Sequence, residues 1–163
     1  RVFDTQSEFE IGSIGVKAFS IPHDAADPVG YSFMCGDEKV AVATDIGELK
    51  KDLFEAIRGS KTVLLESNHD VNMLEIGKYP PQLKRRIRGK LGHLSNDDAG
   101  RAAEFLVRLG TERIILGHLS EENNYPELAR QTVICVLNDA GIKCGRDVLL
   151  GVALPQQTVS LCG

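Results

Sequence analysis

The sequence predicts an α/β fold of the kind that forms one half of an α/β sandwich. Residues 1–45 contain short segments in which apolar residues alternate with polar or small ones, which is typical of β-strands. The residues that follow alternate between strand-like and helix-like segments. The 163 residues, 42% of them hydrophobic, are enough for one globular domain with a sizeable core.

Four strands are predicted in the opening segment. The last two are joined by Gly36-Asp37-Glu38, which is a plausible hairpin turn. The fourth strand runs directly into Asp45, so a carboxylate lies at its C-terminal end. The predicted strands are 9–12, 15–21, 29–35 and 39–44.

The second part is predicted to alternate between helices and strands. A strand over 61–66 ends in Glu66. The clearest helix has Ser95 as its N-cap, Asp98 three residues later and Gly110 just past its end. The other predicted helices are 49–57 and 126–140, and the other predicted strands are 112–117, 148–152 and 158–161.

Composition and charge restrict the functional class. The net charge of -4 disfavours a generally basic nucleic-acid binder, and no apolar run approaches the roughly 18 residues of a membrane span. The cysteines lie far apart, so we expect reduced thiols in a cytoplasmic protein rather than a zinc cluster; they are Cys35, Cys135, Cys144 and Cys162. The absence of an initiator methionine suggests a fragment or a processed product.

Each histidine lies at or near the end of a predicted element. The pentapeptide Leu-Gly-His-Leu-Ser occurs twice, at 91–95 before a helix and at 116–120 after a strand, and the different flanks exclude an internal repeat. Histidines together with Asp45 and Glu66 at one sheet edge suit zinc, manganese or iron. The spacing is not diagnostic, and any single histidine could equally be a surface or capping residue.

Five strings of the sequence resemble a known family. They are FSIPHDAADPVGY, VATDIG, LLESNHDVNML, YPPQLKRRIRGKLGHLSNDDAG and IILGHLSEENN. In order and content they are similar to the C-terminal part of metallo-β-lactamase-fold hydrolases, especially the YycJ (WalJ) group. The resemblance implies an αββα fold with an active site at the edge of two facing sheets, usually holding two divalent ions.

The resemblance also implies site residues. His23, Asp45 and His118 match metal ligands, with Asp45 in the metal-bridging position. The segment that begins at Gly92-His93 resembles the Gly-His-Ser-Thr string of tRNA 3′-end-processing nucleases, in which the histidine faces the scissile phosphate. His93 also precedes a predicted helix N-terminus, whose free N–H groups would favour a phosphate. Glu66 matches the acidic partner of that histidine.

His69 is typical of the YycJ-like group but matches no general motif of the fold. It could be an extra metal ligand, a substrate contact or a residue that fixes its loop by a hydrogen bond. We therefore include it among the candidate catalytic residues, with His93 and Glu66.

A basic segment lies between His69 and His93. Residues 78–90 carry six positive charges and no negative ones, and they include an aromatic ring that could stack on a base. A run of charge can also be a solvated helix face. We expect this segment to contact DNA through Lys78, Tyr79, Lys84, Arg85, Arg86, Arg88 and Lys90.

The H-x-H-x-D-H motif of the family is absent. We therefore expect a domain over 1–163 that is incomplete at its N-terminus, with weak metal affinity, little activity alone and self-association through exposed sheet surface. The implied function is a 5′-to-3′ DNA exonuclease, a phosphodiesterase that uses metal-activated hydroxide with zinc or manganese. The alternatives are hydrolysis of a small ester, thioester or cyclic phosphodiester, or a non-catalytic half-domain that binds a partner.

Overall fold

A computed structural model describes residues 4–161 and places seven strands in one sheet. Along the sheet the strands follow their order in the chain, from β1 to β7. The elements are β1 Glu8–Ile11, β2 Ile14–Ser20, β3 Val29–Cys35, β4 Glu38–Ala43, α1 Lys51–Ile57, β5 Thr62–Glu66, α2 Val71–Ile76, α3 Pro81–Ile87, α4 Asn96–Arg108, β6 Arg113–Gly117, α5 Pro126–Asp139 and β7 Leu149–Val152.

The pairing direction changes at β4. Strands β1 to β4 form an antiparallel meander, with a tight turn between β3 and β4 at Gly36, whose φ is 58°. Strands β4 to β7 are parallel to one another, so helices connect them. The predicted α/β class and its β-rich opening are confirmed. Because β4, β5 and β6 are parallel neighbours, their C-terminal ends meet at one edge of the sheet.

One face of the sheet carries the hydrophobic core. Alternate residues of the parallel strands, such as Ala43, Leu65 and Leu116, are buried and pack with the apolar sides of α1, α4 and α5. Burial of each large aliphatic side chain contributes about 1.5–3 kcal/mol. Helices α4 and α5 approach closely because Gly100 has no side chain: a Cβ there would lie 2.8 Å from Cβ of Val136.

The opposite face of the sheet is apolar but only half-buried. Tyr31, Val42, Leu64 and Ile115 stand opposite one another in the register of β3 to β6. Each of these side chains is of intermediate exposure, in contrast to the fully buried residues of the core face. This sheet therefore has a second apolar face that the described helices do not bury fully.

Most predicted elements are confirmed to within two residues at each end. Residues 158–161, predicted as a strand, are not one; they follow β7 as irregular chain. Helices α2 and α3 were not predicted, because both are short and neither has a clear apolar period. Cys35, Cys135 and Cys144 are free thiols, while Cys162 lies outside the described residues. None of the helices in residues 4–161 has both the length and the apolar character that a bilayer crossing requires.

Candidate metal centre

Three neighbouring parallel strands bring chemically active side chains to one edge of the sheet. Glu66 is the last residue of β5 and pairs in register with Gly117, so His118 follows immediately beside it. Asp45 follows β4, whose Ala43 is in register with Leu65. The topology thus brings together Asp45, Glu66 and His118, which lie far apart in the sequence.

The backbone is strained at two of these positions. Asp45 has a φ of 58° and His118 a φ of 57°, in the left-handed region that residues other than glycine rarely adopt. At His118 the conformation is supported by a hydrogen bond of 2.9 Å from Nδ2 of Asn68 to the His118 carbonyl oxygen. Such strain costs about 1–3 kcal/mol per residue and persists where surrounding contacts fix it, often at functional sites.

Glu66 is the centre of the hydrogen-bond network. Its side chain is completely buried. Oε1 lies 2.8 Å from Nδ1 of His93 and 2.7 Å from Nδ1 of His118. Oε2 accepts from the backbone N–H of Ile46 at 2.6 Å and of Leu94 at 3.3 Å. One carboxylate therefore connects two histidines and the backbone of two loops.

The pKa shifts agree with an ionised Glu66. Burial alone would raise the pKa of Glu66, but hydrogen bonds from His118, His93 and the Ile46 N–H outweigh it and hold the pKa below its ordinary value. The hydrogen bond to Glu66 raises the pKa of His118, against the opposing effect of burial. Because an ionised carboxylate only accepts, the Nδ1 atoms of His93 and His118 must carry the hydrogen.

His23 adopts the same tautomer through a different partner. Its Nδ1 lies 3.1 Å from the carbonyl oxygen of Gly92, which can only accept, so Nδ1 again donates. Its Nε2 lies 3.6 Å from Oδ1 of Asp45. The His93 ring lies between the other two, with centroids 5.0 Å from His23 and 5.2 Å from His118. When neutral, all three imidazoles therefore keep an unprotonated Nε2 for a ligand.

These residues have the chemistry of a transition-metal site. Ligand atoms of Asp45, Glu66, His93 and His118 all lie within 4.8 Å of one another. Each oxygen of Glu66 already accepts two N–H groups, so Glu66 fits as the residue that orients the histidines rather than as a ligand. A partly exposed carboxylate and imidazole nitrogens remain, and these are ligand types that zinc and manganese accept.

The loop before α4 differs from its predicted role. Ser95 is the N-cap of α4, as predicted, and its Oγ accepts from the N–H of Asp98. Two of the first three N–H groups of α4 are occupied, because that of Asn96 donates to the carbonyl oxygen of His69 and that of Asp98 to Ser95, which leaves fewer free N–H groups for a phosphate than expected. Two acidic residues in the first turn of α4 further disfavour an anion there. A phosphate contact would have to come from the His93 ring itself.

His69 is separated from this group by burial. It is only 2% exposed and does not line the cleft above the other histidines. Burial lowers the pKa of His69, which favours the neutral ring, and its Nδ1 has no hydrogen-bond partner within residues 4–161. Its backbone pairs with that of Ser95 and joins the loop after β5 to the start of α4. The backbone of His69 rather than its ring makes this connection, so the three predicted roles of the side chain stay predictions.

A polar network that the sequence analysis missed supports the same loops. Nδ2 of the buried Asn124 donates to the carbonyl oxygens of Ser67 and Asn68 and to Oδ1 of Asn96. Ser67 Oγ also donates to Oδ1 of Asn96. These groups are buried and satisfied by one another, so they fix the loops that follow β5 and β6. Their sequence signal was the asparagines at element ends, which are also common in ordinary loops.

An open cleft of about 520 Å³ lies above the three histidines. Of the seven predicted DNA-contacting residues, only Tyr79 and Arg86 line it. Others are held by neighbouring elements: Lys84 donates to the Glu75 carbonyl oxygen at 2.6 Å, and Arg88 pairs with the Glu75 carboxylate at 2.7 Å.

The remaining basic residues lie away from the cleft. Lys90 pairs with Glu48 at 3.2 Å. The side chains of Lys78 and Arg85 have no ion-pair or hydrogen-bond partner among residues 4–161. The basic segment is therefore divided between one cleft-lining cation, three cations in contact with neighbouring elements and two solvated ones.

Comparison with known proteins gives consistent matches. Residues 1–119 match the Beta-lactamase superfamily domain. The chain is 40% identical over 144 residues to "Exodeoxyribonuclease YycJ" of Bacillus anthracis, covering 88% of this chain and 54% of that protein. It is 37% identical over 147 residues to "Exodeoxyribonuclease WalJ" of Streptococcus pneumoniae, covering 90% of this chain and 55% of that protein. The chain thus spans about half the length of these relatives.

Solved structures support the fold alone. The metallo-β-lactamase fold protein YhfI of Bacillus subtilis superposes with a TM-score of 0.62 at 13% identity, covering 93% of this chain and 51% of that one. Zn²⁺-bound PqqB of Methylobacterium extorquens superposes with a TM-score of 0.65 at 18% identity, covering 99% of this chain and 55% of that one. The predicted metallo-β-lactamase fold is confirmed.

Proposed function

Because this chain belongs to the Beta-lactamase superfamily, we propose that it forms the C-terminal part of a metal-dependent phosphodiesterase that hydrolyses DNA. The observation that carries the proposal is the shared tautomer of His23, His93 and His118, each with Nδ1 toward the protein and Nε2 left for a ligand. The similarity to two exodeoxyribonucleases supports DNA as the substrate. We also propose that the digestion of DNA proceeds in the 5′-to-3′ direction.

Asp45, His118 and His23 would hold the metal. In the complete fold we propose two ions, zinc or manganese, which these three residues would help to hold. Bound ions would supply Lewis-acid activation of the phosphodiester and of the attacking water. Asp45 is 39% exposed and His118 42% exposed, so both side chains are accessible from the cleft. The strained backbone at these two residues supports a functional role for them.

His93 would act on the substrate rather than on the metal. Its ring lies between the two metal histidines, and its Nε2 can contact a phosphate oxygen or give a proton to the leaving oxygen. Glu66 would keep Nδ1–H of this ring in place, so that Nε2 is the atom that exchanges the proton. Glu66 is then a positioning residue that acts through both His93 and His118.

The cleft-lining part of the basic segment would contact the DNA. Tyr79 can stack on a base, and Arg86 can bind a phosphate. We propose that Lys78 and Arg85 contribute to the general attraction of DNA, and that Lys84, Arg88 and Lys90 do so less, because they already have partners.

Two variants separate a nuclease from a hydrolase of small molecules. In a mixture of this chain with the N-terminal half of a close relative, the double variant Tyr79→Ala/Arg86→Gln should lose most DNA hydrolysis while it still hydrolyses bis(p-nitrophenyl) phosphate. Arg85→Gln, which removes a neighbouring solvated charge outside the cleft, is the comparison and should lose less DNA hydrolysis than the double variant. Equal loss with both substrates would favour a small-molecule hydrolase, and unchanged DNA hydrolysis would contradict the DNA contact.

The apolar second face of the sheet would mediate self-association of this chain. The row that contains Tyr31, Val42, Leu64 and Ile115 is only half-buried, and such faces promote association. Sedimentation analysis should show dimers or larger species, and Leu64→Lys should reduce them. A monomer at high concentration would contradict this proposal.

Two expectations from the sequence stay predictions. They are that the domain is incomplete at its N-terminus and that the protein is cytoplasmic.

A further inference from the structure

Among the paired basic residues of the segment, Arg86 is the one whose partner lines the cleft. Lys84 and Arg88 attach α3 to α2 through Glu75, away from the cleft. Arg86 lines the cleft, and its guanidinium contacts both carboxylate oxygens of Asp24, with Nη2 donating to Oδ1 at 3.0 Å and Nε donating to Oδ2. Asp24 also lines the cleft. The pair therefore lies within the cleft above the histidines.

The backbone fixes Arg86 relative to the candidate catalytic histidine. The N–H of His93 donates to the carbonyl oxygen of Ile87 at 2.8 Å, directly after Arg86. Gly92 permits this close packing: a Cβ there would lie 2.1 Å from the Ile87 oxygen and 2.3 Å from the Arg86 oxygen. On the other side of the pair, the N–H of Asp24 donates to the Leu91 carbonyl oxygen at 3.1 Å. The backbone therefore fixes Asp24 and Arg86 relative to the loop that carries His93.

The contact has the geometry of phosphate recognition. A guanidinium binds a carboxylate and a phosphodiester in the same two-pronged manner, through two N–H groups and two oxygens. The Arg86 side chain is 62% exposed, and ion pairs this exposed are weak, so an incoming anion can replace the carboxylate. Oδ1 of Asp24 lies 3.5 Å from Nε2 of His23, so the exchange would take place beside a proposed metal ligand.

We propose that Arg86 is the phosphate-binding residue of the cleft and that Asp24 occupies its guanidinium in the free protein, as an internal competitor that a DNA phosphate displaces. The inference rests on the proposed nuclease function and assigns the group that receives a phosphate next to the scissile one. The exchange makes binding selective, because an anion must make both hydrogen bonds to Arg86 to replace the carboxylate. An anion that makes only one weak hydrogen bond would not displace Asp24.

The test is a double-mutant cycle on DNA binding in EDTA, which removes metal from the comparison. A short fluorescein-labelled DNA duplex is titrated with the wild type, Arg86→Gln, Asp24→Asn and the double variant. Arg86→Gln should weaken binding about fivefold, because the lost charge-assisted hydrogen bonds outweigh the exposed ion pair. Asp24→Asn should tighten binding about two- to fivefold in the wild type. It should tighten binding less in the Arg86→Gln background, where there is no guanidinium to release.

Matched controls separate the outcomes. Arg85→Gln removes the same charge one residue away, outside the cleft, and should weaken binding less than Arg86→Gln. Arg86→Lys, which keeps the charge but not the two-pronged geometry, should fall between the wild type and Arg86→Gln. Equal losses for Arg86→Gln and Arg85→Gln, or equal tightening by Asp24→Asn in both backgrounds, would overturn the exchange and leave the nuclease proposal intact. No DNA binding by the wild type would overturn both.

Discussion

Glu66→Gln is the substitution that most directly perturbs the hydrogen-bond network of the site. The change keeps the size of the side chain but leaves one oxygen instead of two. Because Oε1 and Oε2 each accept two N–H groups, a glutamine in either orientation directs its NH₂ group toward two donors. If the oxygen remains toward the histidines, the buried N–H groups of Ile46 and Leu94 lose their acceptor.

The size of the expected loss in the free energy of unfolding follows from these two lost hydrogen bonds. Each buried N–H left without an acceptor costs about 1–3 kcal/mol. The Leu94 contact is long, at 3.3 Å, so its loss belongs at the low end of that range. Removal of a buried charge recovers part of the desolvation penalty. We therefore expect the free energy of unfolding to fall by about 1–3 kcal/mol.

Urea denaturation measures this loss, and Glu75→Gln provides the control. Glu75 is an exposed carboxylate paired with Arg88, so its neutralisation should change the free energy of unfolding by about 0.5 kcal/mol or less. Nitrogen NMR of the imidazoles gives a second readout, because His93 and His118 keep their tautomers if the glutamine oxygen faces them and change tautomer if the NH₂ group does. An unfolding free energy for Glu66→Gln equal to that of Glu75→Gln, with unchanged tautomers, would refute the reasoning.

Three further predictions concern the same site. Glu66 raises the pKa of His118 above 6.5, and metal binding requires the deprotonated ring. Calorimetry should therefore show a metal affinity that rises with pH and levels off only above pH 6.5. A metal affinity that is already independent of pH near pH 6.5 would contradict this prediction. His118→Ala should lose metal, whereas His93→Ala should keep metal and slow DNA hydrolysis by about 10²- to 10⁴-fold, as checked by metal analysis and a gel assay. Equal metal loss in both would make His93 a ligand. Gly92→Ala should lower the free energy of unfolding by about 1–3 kcal/mol, because the added Cβ would lie 2.1 Å from the Ile87 carbonyl oxygen. Thermal melting measures this loss. Gly15→Ala is the control, because the nearest atoms to its Cβ are 3.9 Å away.

The sequence predicted the strand ends but not their cross-connections. Asp45, Glu66 and His118 follow strands whose hydrophobic pattern is clear, and parallel strands share a C-terminal edge, so their proximity could be anticipated. That Glu66 also holds His118 depends on where two loops meet in space. Likewise the contact between Asp24 and Arg86 joins residues 62 positions apart in the sequence. No local pattern encodes such pairs.

The missed elements have local causes. Helices α2 and α3 are six and seven residues long, too short for a hydrophobic period to distinguish a helix from a loop. The asparagine network was missed because no local pattern indicates that Asn124 lies beside the loop after β5, where its Nδ2 donates to the carbonyl oxygens of Ser67 and Asn68.

The most direct test of the metal-dependent nuclease is metal content and DNA hydrolysis, measured on this chain alone and after addition of the N-terminal half of a close relative. The account predicts weak metal binding alone, and tight metal binding with DNA hydrolysis in the mixture, both lost in His118→Ala. Absence of metal in the mixture, or metal binding and hydrolysis that survive His118→Ala, would contradict the assignment of this sheet edge as the metal centre.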